Sequence, residues 1–403
     1  MQVMMFHLMP YPGLPDEVTS AHDSYWVTLP NSQYDRDVGY RTYNRYLDEL
    51  ELCAELGFDA VAVNEHHQTP YGLMPSPIVT ASALARRLGE RCRIAIFGSG
   101  FCLREHPLTL AEEHAMIDTI TGGRLISGFV RGVGAEYTSF GVNPVRSHER
   151  HIEAHDLVVR AWSEPGPFVF EGKHYHFEYV NIWPRPYQQP HPPIWCPSQG
   201  SSETIEWAAH PDRKYVYLQN FNPWAAAVKY LNYYREVARR RYSYEAASSQ
   251  LAWGAPVYVA ETDEQAIDEA REPLEYLFNK AFKMPGGMFF PPGYTSPASM
   301  RQIVAAKSSI MSAGRTVENL ANVGLAVIGS PETVRERLIE CHAELGFHAF
   351  VALLHFGTMS AERTEKNIRL FATEVMPAIQ ALDDRHYAGF ELPQAGQSSY
   401  AAE

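Results

Sequence analysis

An α/β chain closed into a (β/α)8 TIM barrel with insertion loops is the fold this sequence predicts, on three observations. Eight short apolar runs alternate with amphipathic stretches along most of the 403 residues, the pattern of βα units in a parallel sheet. Runs such as AVAV (Ala60–Val63) and FVALL (Phe350–Leu354) are apolar without interruption, as strands covered on both faces are. Ala54–His67 (AELGFDAVAVNEHH) is echoed by Ala343–Phe356 (AELGFHAFVALLHF), so that His66 corresponds to His355. A helix end, a glycine turn and a strand recurring in this way suit a barrel of repeated units. An open doubly wound sheet is the alternative, more usual with about six strands.

In chain order the strands are expected at Gln2–Leu8, Asp59–Asn64, Arg93–Phe97, Arg124–Val130, Pro193–Pro197, Lys214–Gln219, Ala255–Ala260 and His348–His355. The opening Met1–Pro10 is apolar but has no basic start and no small-residue cleavage pattern, and reads as a strand rather than a signal peptide. Helices are expected at Tyr40–Leu56, Pro77–Leu88, Thr109–Thr121, His148–Trp162, Thr204–His210, Trp224–Arg241, Asp263–Phe282 and Pro331–Leu345, with a final one at Ala361–Leu382. Three insertions interrupt the alternation. Pro10–Gly39 is a long loop, and Phe168–Asn181 alternates around Gly172 like a β-hairpin before a Pro-rich passage to Pro193. Lys283–Pro297 (KMPGGMFFPPGYTSP) mixes turn residues with apolar and aromatic ones, as a lid or binding loop does. No linker divides the chain, so residues 1–383 are expected to form a single domain, with 384–403 a weakly ordered tail.

Composition narrows the class. Hydrophobic residues at 45% and charged ones at 20% supply a large core and argue against disorder. No apolar run reaches the roughly 18 residues a membrane helix needs. A net charge of −13 without any basic block disfavours nucleic acid or an anionic membrane as partner. Five scattered cysteines (Cys53, Cys92, Cys102, Cys196, Cys341), with no CxxC, fit reduced thiols in a cytoplasmic protein. A cytoplasmic enzyme is the expected class.

A barrel carries its chemistry at the carboxyl ends of its strands. The second strand ends in Asn64-Glu65-His66-His67; successive residues point to opposite sides, so one histidine faces the mouth. The alternative is a His–Glu pair that only fixes the loop. Gly98-Ser99-Gly100 ends the third strand and leaves room for a planar ring to approach the backbone, though an ordinary βα turn would look alike. Arg131, in Val130-Arg131-Gly132-Val133-Gly134, sets a permanent charge at the mouth that needs a carboxylate or phosphate partner. Ser201 and Ser202 precede a helix opening near Thr204, a phosphate-binding arrangement that also serves as a plain N-cap. No GxGxxG, GxSxG, Walker or HExxH pattern is present. His148, His151 and His155 share one helix face but span about 10 Å, too far for one ion. They read as a partly exposed polar face, and no metal is expected. A phosphorylated, planar, mostly apolar cofactor, of which flavin mononucleotide (FMN) is an example, best fills such a mouth.

At this point the motifs resemble the bacterial luciferase-like flavin-dependent monooxygenases, from about Met4 to Ile379. The resemblance rests on four stretches in order: GFDAVAVNEHH (Gly57–His67), HPLTLAEEHAMIDTITGGRLISGFVRGVGAEYTSFGV (His106–Val142), PPIWCPSQGSSETIEWAA (Pro192–Ala209) and NIRLFATEVMPAI (Asn367–Ile379). It implies a luciferase-like TIM barrel with an extra loop after the seventh strand, at Lys283–Pro297. It also implies a two-component system in which a separate flavin reductase supplies reduced FMN (FMNH2). The reduced flavin reacts with O2 to give a C4a-(hydro)peroxyflavin that oxidises a small organic substrate. The family's catalytic histidine falls on His66, flanked by Glu65 and His67. Its phosphate arginine falls on Arg131, its serine loop on Ser201, Ser202 and Thr204, and its segment under the ring, often with a non-prolyl cis peptide, on Gly98–Gly100. Arg150 resembles a second phosphate arginine by a looser alignment. Val130 replaces luciferase's reactive cysteine, and the Pro10–Gly39 loop exceeds the luciferase pattern, so light emission from alkanals is not implied. Tyr25, Trp26, Met284, Met288, Phe289 and Phe290 suggest a hydrophobic or aromatic substrate under the lid. A homodimer through the early barrel helices follows from the resemblance. The rival readings are an F420-dependent hydride-transfer enzyme, from the same superfamily, and a non-catalytic flavin-binding protein.

Overall fold

Side-chain alternation decides what each strand shows to the barrel interior and what it shows to the surrounding helices. The structure, a computed structural model, describes residues 1–392 and, at 306–313, the backbone alone. The barrel strands are β1 (Gln2–Phe6), β2 (Ala60–Val63), β3 (Arg93–Ser99), β4 (Leu125–Phe129), β5 (Ile194–Ser198), β6 (Val216–Asn220), β7 (Leu251–Val259) and β8 (Ala349–Leu353). Each pairs in parallel with the next, and β8 returns to β1 with Gln2 opposite Ala349. The barrel is closed and leaves no edge among these strands. Met4, Phe6, Ala60, Ala62, Ala95, Phe97, Trp195 and Leu218 belong to one apolar cluster. The intervening residues, among them Val3, Met5, Val61, Val63, Ile94 and Ile96, belong to a second with the helices. Small alanines beside Phe6, Phe97 and Trp195 let the inward layer fill without a pore.

The helices follow their strands: α1 (Arg36–Glu55), α2 (Pro77–Ala85), α3 (Pro107–Ile120), α4 (Gly134–Phe140), α5 (Ser147–Ser163), α6 (Ser202–Ala208), α7 (Trp224–Tyr242), α8 (Asp263–Tyr276), α9 (Pro297–Ala313), α10 (Pro331–Leu345) and α11 (Ala361–Leu370). Asp35 caps α1 by accepting from the N–H groups of Asp37 and Val38, and Ser330 followed by Pro331 starts α10. Gly57 (φ +91) and Gly346 (φ +58) turn the chain out of α1 and α10 in the left-handed conformation that only glycine adopts freely.

The hairpin forms from Phe168–Glu171 and His176–Val180. Three expectations need correction. The long first loop contains a helix, Asp16–Ala21, and ends inside α1. Between Pro297 and Pro331, where no element was expected, lie α9, a helix Val317–Asn322, and a strand Val327–Gly329 that adds to β7 outside the barrel. Ser296 with Pro297, and Thr316, are the cap signals that mark those helices. The final helix is interrupted by a π-helical turn at Phe371–Val375. Within the expected tail, Tyr387 lies under Arg235, 4.8 Å from its guanidinium, and the Ala388 N–H donates to Ala343 O at 2.9 Å. Residues 393–403 lie outside the described residues. All five cysteines are buried and free. No described helix is long and apolar enough to cross a membrane.

Candidate active site

The loop leaving β2 sends its polar residues in two directions. His66 Nδ1 lies 2.8 Å from Glu136 Oε1 of α4, and the imidazole meets Trp26 and Tyr71 edge-on, with ring centroids 5.1 and 5.0 Å away. Glu65 and His67 instead pair with each other at 2.9 Å, and Arg104 joins Glu65 at 2.9 Å. Burial opposes ionisation of Glu65, but the His67 and Arg104 contacts outweigh it and hold its pKa below the usual carboxylate range. Of the three residues expected to be catalytic, His66 is held between two aromatic rings with a carboxylate from another βα unit behind it, whereas His67 meets the Phe140 ring, 4.6 Å away, and bonds Glu65. Asn64, just before, is 7% exposed, and its Oδ1 has no partner.

At the end of β3 the two glycines sit where neighbours approach closely. A Cβ on Gly98 would stand 3.0 Å from the Glu65 nitrogen, and one on Gly100 would stand 2.7 Å from Leu103 Cδ1. Ser99 turns away to α3, bonding His114 Nε2 at 2.9 Å, while His114 Nδ1 lies 3.0 Å from Ser127 Oγ. Burial lowers the His114 pKa to about 3, so this ring is a neutral tie between β3, β4 and α3. The Ser99 side chain is therefore structural. Cis peptide bonds among the described residues precede Pro167, Pro184 and Pro190, and Gly98–Gly100 contains none.

Among the described residues Arg131 pairs with no carboxylate. Its Nη1 donates to Tyr294 O at 2.8 Å and to Ser147 Oγ at 3.4 Å, and its guanidinium lies 4.6 Å from the Tyr294 ring centroid. Ser201 and Ser202 do not cap α6; they turn to Glu203 in its first turn. Glu203 Oε2 accepts from Ser201 Oγ at 2.7 Å, Ser202 Oγ at 3.2 Å and Ser299 Oγ of α9 at 2.6 Å. Although burial opposes it, the hydroxyls of Ser299, Ser296 and Ser201 and the residue's own N–H bring the Glu203 pKa down to about 2. Thr204 is half-buried one residue on. His148 feels both Arg131 and Glu203; burial first, then Arg131, lowers its pKa, while Glu203 raises it. Arg150 lies one turn beyond Ser147 on α5. It donates to Cys102 O at 3.0 Å and Arg104 O at 2.9 Å, and lines a surface cleft of about 590 Å³ with Arg104, His106, Phe140 and Arg146.

The insertion after α8 closes over this ground. Trp26 Nε1 donates to Ala281 O at 2.9 Å, and the Tyr25 and Tyr276 hydroxyls meet at 2.9 Å. Phe282 lies against Tyr71 and Phe221 at 5.1 and 5.7 Å. Met284 and Met288 pack on the inner cluster, whereas Phe289 and Phe290 pack on each other. Gly134 must be glycine, because a Cβ there would stand 2.3 Å from Pro291 and 2.4 Å from Met288 O.

Two clusters resemble metal sites. His151 and His155 are buried, not on the partly exposed face expected; His155 bonds Asp156 and Tyr215, and His151 packs on Trp207. His7, Glu49 and His355 place ligand atoms within 4.8 Å of one another. However, the Met9 N–H donates to His7 Nδ1, so Nε2 keeps the proton and donates it to Glu49, whose other oxygen takes Arg45. Those bonds use both ring nitrogens of His7, so His7 has no lone pair left for a metal.

A family model described as luciferase-like monooxygenase matches residues 24–349. The chain belongs to that family. It is 35% identical over 170 residues to the uncharacterized protein y4wF of Sinorhizobium fredii, an alignment covering 42% of this chain and 48% of that one. The chain thus spans about half the length of that relative. It is 25% identical over 370 residues to the oxygenase component of flavin-dependent trigonelline monooxygenase from Acinetobacter baylyi, covering 87% of this chain and 94% of the relative. Among solved structures it is similar to the oxygenating constituent of 3,6-diketocamphane monooxygenase from Pseudomonas putida, in complex with FMN. That match has a TM-score of 0.69 and 18% identity, covering 94% of this chain and 98% of the other. A coenzyme F420 dependent tetrahydromethanopterin reductase from Methanopyrus kandleri matches with a TM-score of 0.61 and 17% identity, over 84% and 96% of the two chains.

In this member of the luciferase-like family the residues present fit a phosphorylated flavin at both ends. Three hydroxyls converge on one Glu203 oxygen, so the donor set is one that satisfies an anion. At the other end the buried, unpartnered Asn64 Oδ1 can accept a ring N–H. Asn64, Tyr71, Glu136, His148, Glu203, Phe282 and Ser299 were not among the residues expected from sequence.

Proposed function

We propose that this chain is the oxygenase component of a two-component monooxygenase that uses reduced FMN and O2 on a small hydrophobic or aromatic substrate. The observation that carries the reading is His66, paired to Glu136 and held between Trp26 and Tyr71 in a chain of this family. Bound reduced flavin supplies the electrons for O2 activation. Arg131, His148, Ser201, Ser202 and Thr204 would hold its phosphate, and Asn64 would meet its ring. Trp26, Tyr71, Phe282, Met284 and Met288 exclude water from the reacting atoms. His66 accepts or holds a proton at Nε2, on the side of the ring away from Glu136.

The test is anaerobic loading with reduced FMN, an O2 pulse, and measurement of oxidised product and hydrogen peroxide per flavin with candidate aromatic substrates. His66→Ala should leave FMN binding unchanged and divert most of the flavin to peroxide; unchanged coupling refutes the role. The F420 neighbour supports a second reading, and O2 uptake with reduced FMN set against F420 binding separates the two. A reductase partner is supported by the trigonelline relative being an oxygenase component. A homodimer is supported by the exposed apolar Val79, Met116 and Ile120 on α2 and α3, and sedimentation analysis checks it.

A further inference from the structure

The carboxylate behind His66 comes from a different βα unit, and the backbone around it is built to hold it. Glu136 is 3% exposed. Its Oε1 takes His66 Nδ1 at 2.8 Å, and its Oε2 accepts the Val133 N–H at 3.0 Å. Gly132, at φ +84, makes that approach possible: a Cβ there would lie 2.6 Å from Glu136 Oε2. A carboxylate accepts and does not donate, so the proton of the pair sits on His66 Nδ1 and Nε2 carries a lone pair. The other ionisable groups nearby are differently engaged. Glu65 and His67 are tied to each other and to Arg104, Tyr71 presents a buried phenol, and Tyr294 and Arg131 pair beyond Gly132.

We propose that Glu136 is a positioning residue that makes His66 a base, and that the substrate is an aromatic molecule carrying an ionisable O–H or N–H. The inference rests on the monooxygenase reading of this site. Glu136 fixes the tautomer and the ring orientation and stabilises the imidazolium formed when Nε2 takes a proton. In that step the substrate O–H or N–H bond breaks and its electron pair stays with the substrate. An Nε2–H bond forms from the imidazole lone pair, and the Nδ1–H bond is kept. Trp26, Tyr71 and Phe282 pack into one aromatic cluster beside His66, a surface suited to contact with a ring, which is why the protic group is placed on an aromatic molecule.

The test reads His66 directly, by ¹⁵N NMR of histidine-labelled protein without flavin, the resonance being assigned by its loss in His66→Asn. The expected result is the Nδ1–H tautomer. In Glu136→Gln the His66 acid dissociation constant should rise at least about tenfold, with partial return in Glu136→Asp. The acid limb of product formation per flavin should move the same way in the loaded enzyme. FMN binding, followed by fluorescence, should stay within about twofold in Glu136→Gln, which shows the barrel intact. An Nε2–H tautomer, or an unchanged titration in Glu136→Gln, overturns the proposal. If His66→Asn keeps full coupling, the catalytic reading of His66 fails whatever the NMR shows. If it loses coupling while Glu136→Gln titrates and couples like the parent, the assignment of Glu136 alone fails. Among aromatic substrates, turnover of ring analogues whose O–H or N–H is methylated, at the rate of the parent compound, overturns the substrate class.

Discussion

The two AELGF units begin alike and end differently. Each leaves its helix through a left-handed glycine, enters a buried strand and reaches a histidine in the thirteenth position. His66 follows Val63, the last residue of β2, by three positions and finds Glu136 and two aromatic rings. His355 follows Leu353, the last residue of β8, by two, and is fully buried against His7 and Tyr46, with ring centroids 4.7 and 4.9 Å away. Neither of its ring nitrogens has a partner. Local sequence therefore specifies the turn and the strand, while what the chain beyond each strand packs against decides where a histidine in the same register ends up.

The largest expected difference between the two units is functional. His66→Ala should lower product per reduced flavin by about 10²–10⁴, the usual worth of a placed acid or base. His355→Ala should leave coupling unchanged although it opens a cavity. Product and peroxide yields of both variants check this, and equal losses would erase the distinction.

The glycines sharpen the comparison through stability. At Gly346 a Cβ would stand 2.4 Å from the Tyr387 ring, whereas at Gly57 nothing lies within 4 Å. Gly57→Ala should cost about 1 kcal/mol, from the strained φ alone. Gly346→Ala should cost about 2–4 kcal/mol, because the 384–392 segment must also move. Urea midpoints at constant slope measure both.

These comparisons also show what could be read from sequence. The strands were legible because β strands buried on both faces are written as continuous apolar runs, and the hairpin because Phe168–Asn181 alternates. Glu136 was not legible as a partner of His66. It lies 70 residues away, and the contact exists because closure sets β2, β3 and β4 side by side. The partners of Arg150 were hidden for the converse reason: an arginine near the right motif says nothing about which way its helix face points, and here it bonds the carbonyls after β3. Helix α9 was overlooked because its cap sits inside a Pro-rich lid, where Ser296-Pro297 reads as a turn.

Glu203 extends the comparison to the other end of the mouth, where a carboxylate is satisfied by hydroxyls instead of an imidazole. If the phosphate uses the same hydroxyls, the two anions compete, and Glu203→Gln should tighten FMN binding about tenfold while leaving riboflavin, which has no phosphate, unchanged. Equal effects on both flavins would place the phosphate elsewhere. The pH dependence follows from the sign of the shift. A carboxyl lowered from 4.5 to about 2 adds stability that is complete above pH 4.5 and disappears as the pH falls toward 2. Because the group is partly exposed, solvent screening leaves about 1–2 kcal/mol. Thermal melts between pH 5 and 2 should therefore fall less steeply in Glu203→Gln than in the parent.

The smallest effect should come from His355→Leu. A neutral imidazole with two unpartnered nitrogens keeps a desolvation cost of about 1–3 kcal/mol, and burial holds its pKa well below the ordinary histidine value. Leucine removes that cost and loses the stacking on His7, worth about 0.5–1.5 kcal/mol. The balance is a stabilisation of about 1 kcal/mol or less, and the bond between His7 and Glu49 stays in place. A clear destabilisation would mean that the His355 nitrogens hold a buried water, because replacing a ring that bonds water would strand the water's other partners.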